Sequence, residues 1–219
     1  QIMETNPFIV RDCALIPLAT GLRAQNLREL QNRIREAPPA CIYYHFWGGL
    51  LRAKFDDPEF PNDFASWAQH SLHDKRLAER LAIINPTDFE DLEDLRREVL
   101  DVVDERLDEL DFPPWVETDQ QFHFIRSQIV VFNTNIEVRT PRELRDRMPS
   151  FSSGTIFYHF IDARRRPPYK QDDFSAWLET FEDVHGDLVL PIRAIDPYFT
   201  TLEELRKELT GILDLYFKE

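Results

Sequence analysis

Two short motifs in this chain could do chemistry, and each occurs twice. Tyr44-His45-Phe46 returns as Tyr158-His159-Phe160, 114 residues later. An Asp-Phe-x-x-Trp segment runs from Asp63 to Trp67 and returns from Asp173 to Trp177, 110 residues later. An imidazole titrates near neutrality, and a carboxylate bonded to it fixes its tautomer and raises its basicity, which is the pairing a general acid/base needs. The simplest linkage joins His45 to Asp63 and His159 to Asp173, each pair walled by Trp67 or Trp177. The same pair also works as a polar staple, in which each buried group satisfies the other. No Ser or Cys recurs beside both copies as a nucleophile, so the staple is the expected role and no catalytic residue is assigned. One His and one Asp per motif are too few ligands for a metal, and His70, His73, His123 and His185 have no recurring equivalents, so neither metal nor cofactor is expected.

A second feature belongs to the C-terminal half alone. Arg164-Arg165-Arg166-Pro167-Pro168-Tyr169-Lys170 concentrates positive charge in one loop, whereas the loop from Arg52 to Pro61 carries Asp56, Asp57 and Glu59. Guanidinium forks match phosphate and carboxylate oxygens, so Arg164, Arg165 and Arg166 beside His159 and Asp173 form a candidate anion site. Gly48-Gly49 lacks the spaced glycines and the Lys-Ser/Thr of a phosphate loop.

The elements that must position these residues also recur. Asn26–Leu30 matches Thr140–Leu144, Ile84-Asn85-Pro86 matches Ile195-Asp196-Pro197, and Leu92–Arg96 matches Leu202–Arg206. Five blocks in one order predict a tandem duplication of a unit of about 105 residues, with pseudo-two-fold symmetry. The units are placed at 1–118 and 119–219 and are expected to share one core. Each opens with a strand candidate, Phe8–Leu18 or Phe122–Phe132, rich in Ile, Val, Phe and Leu. One strand per unit makes no stable sheet, so the strands pair across the duplication or each folds into a hairpin, for which Asn133-Thr134-Asn135 offers a turn. Asn26/Glu29 and Thr140/Glu143 read as capping boxes opening helices. Later helices are expected from Pro39 or Ser153, from Asp63 or Asp173 behind Asn62 or Asp172 as N-cap, and after Asn85-Pro86 or Asp196-Pro197. The fold class is α+β, mostly α-helical.

Charge limits the partners. The net charge of −14 repels phosphate backbones and anionic headgroups, so neither nucleic acid nor membrane is expected. The longest apolar stretch, Cys41 to Leu51, is too short to span a bilayer and no secretory leader is apparent, so a cytoplasmic protein is expected. Twelve acids against three arginines between Asp88 and Asp111 read as the solvated face of a helix, with an acidic docking surface for a basic partner as the alternative. Cys13 and Cys41 sit in apolar contexts and read as buried free thiols.

With these motifs in view, the chain resembles a prokaryotic family catalogued as a domain of unknown function, whose members carry the duplicated Tyr-His-Phe and Asp-Phe-x-x-Trp pattern. The resemblance runs over about residues 7–217. Asn62-Asp63-Phe64-Ala65-Ser66-Trp67 is also similar to a segment in a module attached to some phosphoenolpyruvate-synthase-like proteins. The resemblance implies no activity, cofactor or catalytic residue; a module reused beside catalytic domains implies binding or regulation. The expected function is therefore a non-catalytic interaction or regulatory protein, acting through a protein partner or self-association. Tyr44, His45, Asp63 and Trp67, with Tyr158, His159, Asp173 and Trp177, form the candidate face. The alternative is a binder of, or enzyme acting on, an anionic or sugar-like small molecule at His159, Asp173 and Arg164–Arg166.

Overall fold

The structure, a computed structural model, describes residues 6–52, 59–110, 118, 120–168 and 170–218. The fold is α+β and mostly helical, with a two-stranded antiparallel sheet. In chain order come β1 (Phe8–Ala24), α1 (Leu27–Glu36), α2 (Pro39–Trp47), α3 (Asp63–His70), α4 (Lys75–Ala82) and α5 (Leu92–Glu109). Then follow β2 (Phe122–Val138), α6 (Pro141–Arg147), α7 (Ser153–Ile156), α8 (Asp173–Leu178), α9 (Glu182–Arg193) and α10 (Leu202–Phe217).

β1 and β2 pair with each other, and no hairpin forms at Asn133-Thr134-Asn135. Both strands are longer than expected because each runs through a left-handed residue, Gly21 at φ 81° and Asn135 at φ 59°. Glycine adopts this conformation freely and asparagine tolerates it. Just before each stands a threonine whose hydroxyl accepts an N–H two residues on, Leu22 to Thr20 and Ile136 to Thr134. The same hydroxyls donate to the paired strand, Thr20 to the Phe124 carbonyl at 2.6 Å and Thr134 to the Val10 carbonyl at 2.5 Å. The turn chemistry at Asn133–Asn135 is therefore real, but it bends the strand locally instead of reversing it.

Two compact units form, one of Leu15–Gln128 and the other of the residues up to Ala14 with those from Ile129 onward. This differs from a cut at 118/119, because each strand divides between the units and its first segment packs on helices from the other half of the chain. A two-stranded ribbon is too small to be stable by itself, so each segment takes its apolar partners from the helices. In the Leu15–Gln128 unit, Phe122 and Phe124 of β2 meet Phe64 of α3, with Phe64 and Phe122 stacked at 5.0 Å. Leu95, Val99 and Val103 of α5, four residues apart, are buried on one face of the helix. The Arg96 guanidinium, also buried, donates to the Ile34 carbonyl and so ties α5 to α1. In the other unit Phe8 packs against Phe174 of α8, while Leu205, Leu209 and Leu213 of α10 are fully buried.

Helix starts follow the sequence closely. Asn62 and Asp172 cap α3 and α8 by accepting the N–H of Ala65 and Ser175, at 2.9 and 2.7 Å. Asn26 and Thr140 cap α1 and α6, but the glutamate arm of each expected box reaches one residue further back. Glu29 accepts from Gln25 N–H and Glu143 from Arg139 N–H. The full reciprocal box occurs at Thr201/Glu204, opening α10. Two helices lacked a sequence assignment. α4 is short, and its burial rests on Leu77, Ala78 and Leu81; α9 is broken by non-helical backbone at His185 and contains Pro191.

Candidate functional site

Within the Leu15–Gln128 unit, His45 on α2 and Asp63, first residue of α3, meet as expected, with Nδ1 and Oδ2 2.8 Å apart. In the other unit His159 Nδ1 lies 2.7 Å from Asp173 Oδ2. Both imidazoles are buried, at 3% and 2% exposure. His159 sits in a stretch of π-helix, Phe157–Ile161, continuing α7, whereas His45 lies in regular α-helix. The other ring nitrogen settles their chemistry. Ile125 N–H donates to His45 Nε2 at 3.1 Å, and Arg11 N–H donates to His159 Nε2 at 2.9 Å. A backbone amide can only donate, so each Nε2 accepts and each Nδ1 carries the proton toward its aspartate. Both rings are neutral Nδ1–H tautomers with no nitrogen to spare.

The tryptophans grip the same strand segments. Trp67 Nε1 donates to the Gln120 carbonyl at 2.7 Å, and Trp177 Nε1 to the Asn6 carbonyl at 2.9 Å. His and Trp together thus hold one N–H and one C=O of the segment entering each strand, while the ring of Phe122 or Phe8 packs on the imidazole at 4.7 Å. The expected staple between two helices is in fact a clamp from two helices onto a strand. Sequence reasoning missed this because the strand atoms involved are backbone, which carries no residue signature.

Each aspartate also takes an arginine eight residues beyond the motif tyrosine. Arg52 donates to Asp63 Oδ1 and Oδ2 at 2.7 and 3.0 Å and lies over the Tyr44 ring at 5.4 Å. Arg166 donates to Asp173 Oδ2 at 2.8 Å, to the Tyr158 carbonyl and to the Tyr158 hydroxyl, and stacks over that ring at 4.1 Å. Arg52 was not singled out from sequence, although its distance from Tyr44 equals that of Arg166 from Tyr158. The other two members of the arginine run turn elsewhere. Arg164 donates to the Ile195 carbonyl and lies over Phe160, while Arg165 pairs with Asp162 at 2.7 Å. Arg166 also reaches Asp162, at 3.4 Å, so Arg165 and Arg166 share that carboxylate while Arg164 turns away to Ile195. The acidic loop residues Asp56 and Asp57 lie outside the described residues.

Electrostatics follow from burial and these bonds. Burial would raise the Asp63 carboxyl, but the hydrogen bond from His45, then the charge and hydrogen bonds of Arg52, carry it below the usual carboxylate range. Burial pushes His159 below the usual imidazole value of 6.5, against the pull of Asp173. Burial also pushes the Asp172 carboxyl up, and takes the Cys13 thiol up to about 12, where it stays protonated and donates to the Gly154 carbonyl. Cys13 and Cys41 are both buried and free. Because the folded state holds His159 at a lowered pKa, its contribution to stability is complete above the unfolded value near 6.5. That contribution is lost as pH falls through the lowered folded value. Urea midpoints should therefore drop as pH falls below about 6.5 toward the lowered folded value, and a His159→Gln variant should show a flatter profile. Identical profiles for the two proteins would contradict this origin.

An open groove of about 1110 Å³ lies beside His159, lined by Phe8, Arg11, Tyr158, Arg166, Asp173 and Trp177 among others. Among the described residues no three His, Cys, Asp or Glu side chains gather as metal ligands, and no helix is long and apolar enough to cross a membrane.

No functionally curated protein matches the sequence. Among solved structures, OrfY from Thermoproteus tenax superposes with a TM-score of 0.82 at 28% identity, covering 98% of this chain and 97% of that one. The model of a family of unknown function, DUF5752, matches residues 5–214. That match spans the His–Asp–Trp clamps and every helix except the end of α10, and the chain belongs to this family.

Proposed function

We propose that the protein is a non-catalytic interaction or regulatory protein of the cytoplasm, built by tandem duplication of one strand-and-helices unit with pseudo-two-fold symmetry. One observation carries the reading: both nitrogens of His45 and of His159 are already bonded, one to a carboxylate and one to a strand amide. A general base needs a free lone pair within reach of the proton it abstracts, and neither ring keeps one. The motif residues thus maintain a scaffold, which works through a protein partner or a second copy of itself. The likeness of the Asn62–Trp67 segment to a module attached to phosphoenolpyruvate-synthase-like proteins favours the same role, since such modules bind or regulate beside a catalytic domain.

Chemical labelling tests this directly. Diethyl pyrocarbonate at neutral pH should modify His70, whose side chain is 55% exposed, and leave His45 and His159 untouched until the protein unfolds. Modification of either motif histidine in the folded protein at a rate near that of His70 would reveal an available nucleophilic nitrogen, and the non-catalytic reading would fall.

A further inference from the structure

A two-stranded sheet leaves the outer edge of each strand without a strand partner, and such an edge invites pairing with another chain unless it is covered. Alternate residues of an antiparallel strand turn their N–H and C=O toward the paired strand, and those between turn them outward. β1 guards its outer edge. His159 takes the Arg11 N–H, the Asp12 carboxylate takes the Cys13 N–H at 2.7 Å, and Pro17 has none to offer. On β2 the Thr134 hydroxyl bridges the Val10 carbonyl and the Ile136 N–H, which sets the even-numbered residues there toward β1. Asn135 therefore faces outward, and the Asn133 side chain takes its N–H at 3.0 Å. Ile129, Val131 and Asn133 share that outward side. No helix, loop or side chain among the described residues accepts their N–H groups.

This open run fits a second copy of itself. Outward positions at equal spacing pair completely with an identical antiparallel run only when the middle one, Val131, lies on the two-fold axis. Val131 then exchanges both bonds with its counterpart in the second copy, Ile129 pairs with Asn133, and Val130 stands opposite Phe132 on each side of the axis. The side chains suit that register. Val131 and Phe132 are 39% and 49% exposed, large apolar groups that the single chain leaves in water. A β-branched residue opposite an aromatic one is a favourable cross-strand pair. Charge makes the same selection. No charged residue falls between Ser127 and Ile136, so identical strands bring no like charges together there, whereas the net charge of −14 opposes self-contact over the surface at large. A basic partner would instead meet the acids between Asp88 and Asp111. We infer that the protein self-associates by pairing β2 edge to edge over residues 129–133, so that the two-stranded sheets of two copies become one. This partner deepens the interaction reading above, on which it rests.

Sedimentation velocity of the full chain from about 1 to 200 µM, in about 0.5 M NaCl to screen the surface charge, should show a species of twice the 26.0 kDa chain that dissociates on dilution. Val131→Pro removes the central donor without touching a bond to β1, and should weaken the dimer at least about tenfold. Val131→Lys leaves the backbone intact and sets two ammonium groups opposite each other on the axis, with the same result. The thermal midpoint of each variant, read at a concentration where the parent is monomeric, should stay near that of the parent. Leu215→Lys, at an apolar side chain 73% exposed on α10, should leave the dimer intact. Hydrogen exchange at the Val131 amide should slow as concentration rises, while the Arg11 amide, bonded within one chain, keeps its rate. A chain still monomeric at about 200 µM overturns the pairing, as does Val131 exchange that ignores concentration. A dimer that survives both Val131 variants, or is lost in Leu215→Lys, places the contact elsewhere and overturns it too. A monomer would leave the non-catalytic reading standing, since the labelling of His45 and His159 does not depend on association.

Discussion

Replacing His159 with alanine should lower the free energy of unfolding by about 3 kcal/mol, because two partially buried partners lose their bonds at once. Asp173 loses the imidazole N–H, and the Arg11 amide loses its acceptor at 2.9 Å. A cavity against Phe8 and Phe174 adds to the cost, since both rings lie within 5.6 Å of the imidazole. Glutamine should restore part of the loss, as its amide offers one donor and one acceptor in place of Nδ1–H and Nε2. The corresponding change His45→Ala should cost a similar amount by freeing Ile125 N–H and Asp63. Urea unfolding gives the energies, and hydrogen exchange at the Arg11 amide gives a local readout, since that proton should exchange faster in the alanine variant. A loss below about 1 kcal/mol, within the range of an ordinary surface change, would mean that the clamp does not hold the strand.

What was legible in the sequence was whatever side chains announce by spacing. The His–Asp pairs, the Asn62 and Asp172 caps and the buried face of α5 all follow from residue type at fixed intervals, and the structure contains them. The strands were legible as strands but not in extent, because the apolar runs end at Leu18 and Phe132, short of Gly21 and Asn135, which are bends inside continuous pairing. What lay beyond reach was anything expressed by backbone atoms or by distant packing. The acceptance of Ile125 and Arg11 amides by imidazoles has no sequence pattern, since the two donors differ in every side-chain property. The arginine run misled for a related reason. The three neighbouring charges are spent on internal partners, Arg164 on the Ile195 carbonyl, Arg165 on Asp162, and Arg166 on both Asp162 and Asp173.

The clamp also explains a position that no motif marks. Gly154→Ala should destabilise the protein by about 3 kcal/mol, a large effect for one methyl group. Gly154 is the second residue of α7, where alanine is ordinarily the better helix former by about 1 kcal/mol, so propensity alone predicts a gain. Packing reverses the sign. A Cβ at Gly154 would overlap the Asp12 carboxylate and the Cys13 carbonyl, and would crowd the Cys13 nitrogen at 3.1 Å. Asp12 is held by Cys13 N–H at 2.7 Å, and Cys13 by its thiol on the Gly154 carbonyl at 3.3 Å. Neither obstacle is the loose end of a long side chain, so relief requires moving β1 off α7, and with it the Arg11 amide that bonds His159. Alanine already stands as the second residue of α2, at Ala40, so the constraint belongs to α7 alone. Gly211→Ala supplies the control: it lies within α10 with nothing within 4 Å of its Cβ, and should gain about 0.5–1 kcal/mol. Opposite signs for the two substitutions in urea melts would locate the cost in strand contact. A gain at both positions would show that β1 approaches α7 less closely than the structure has it.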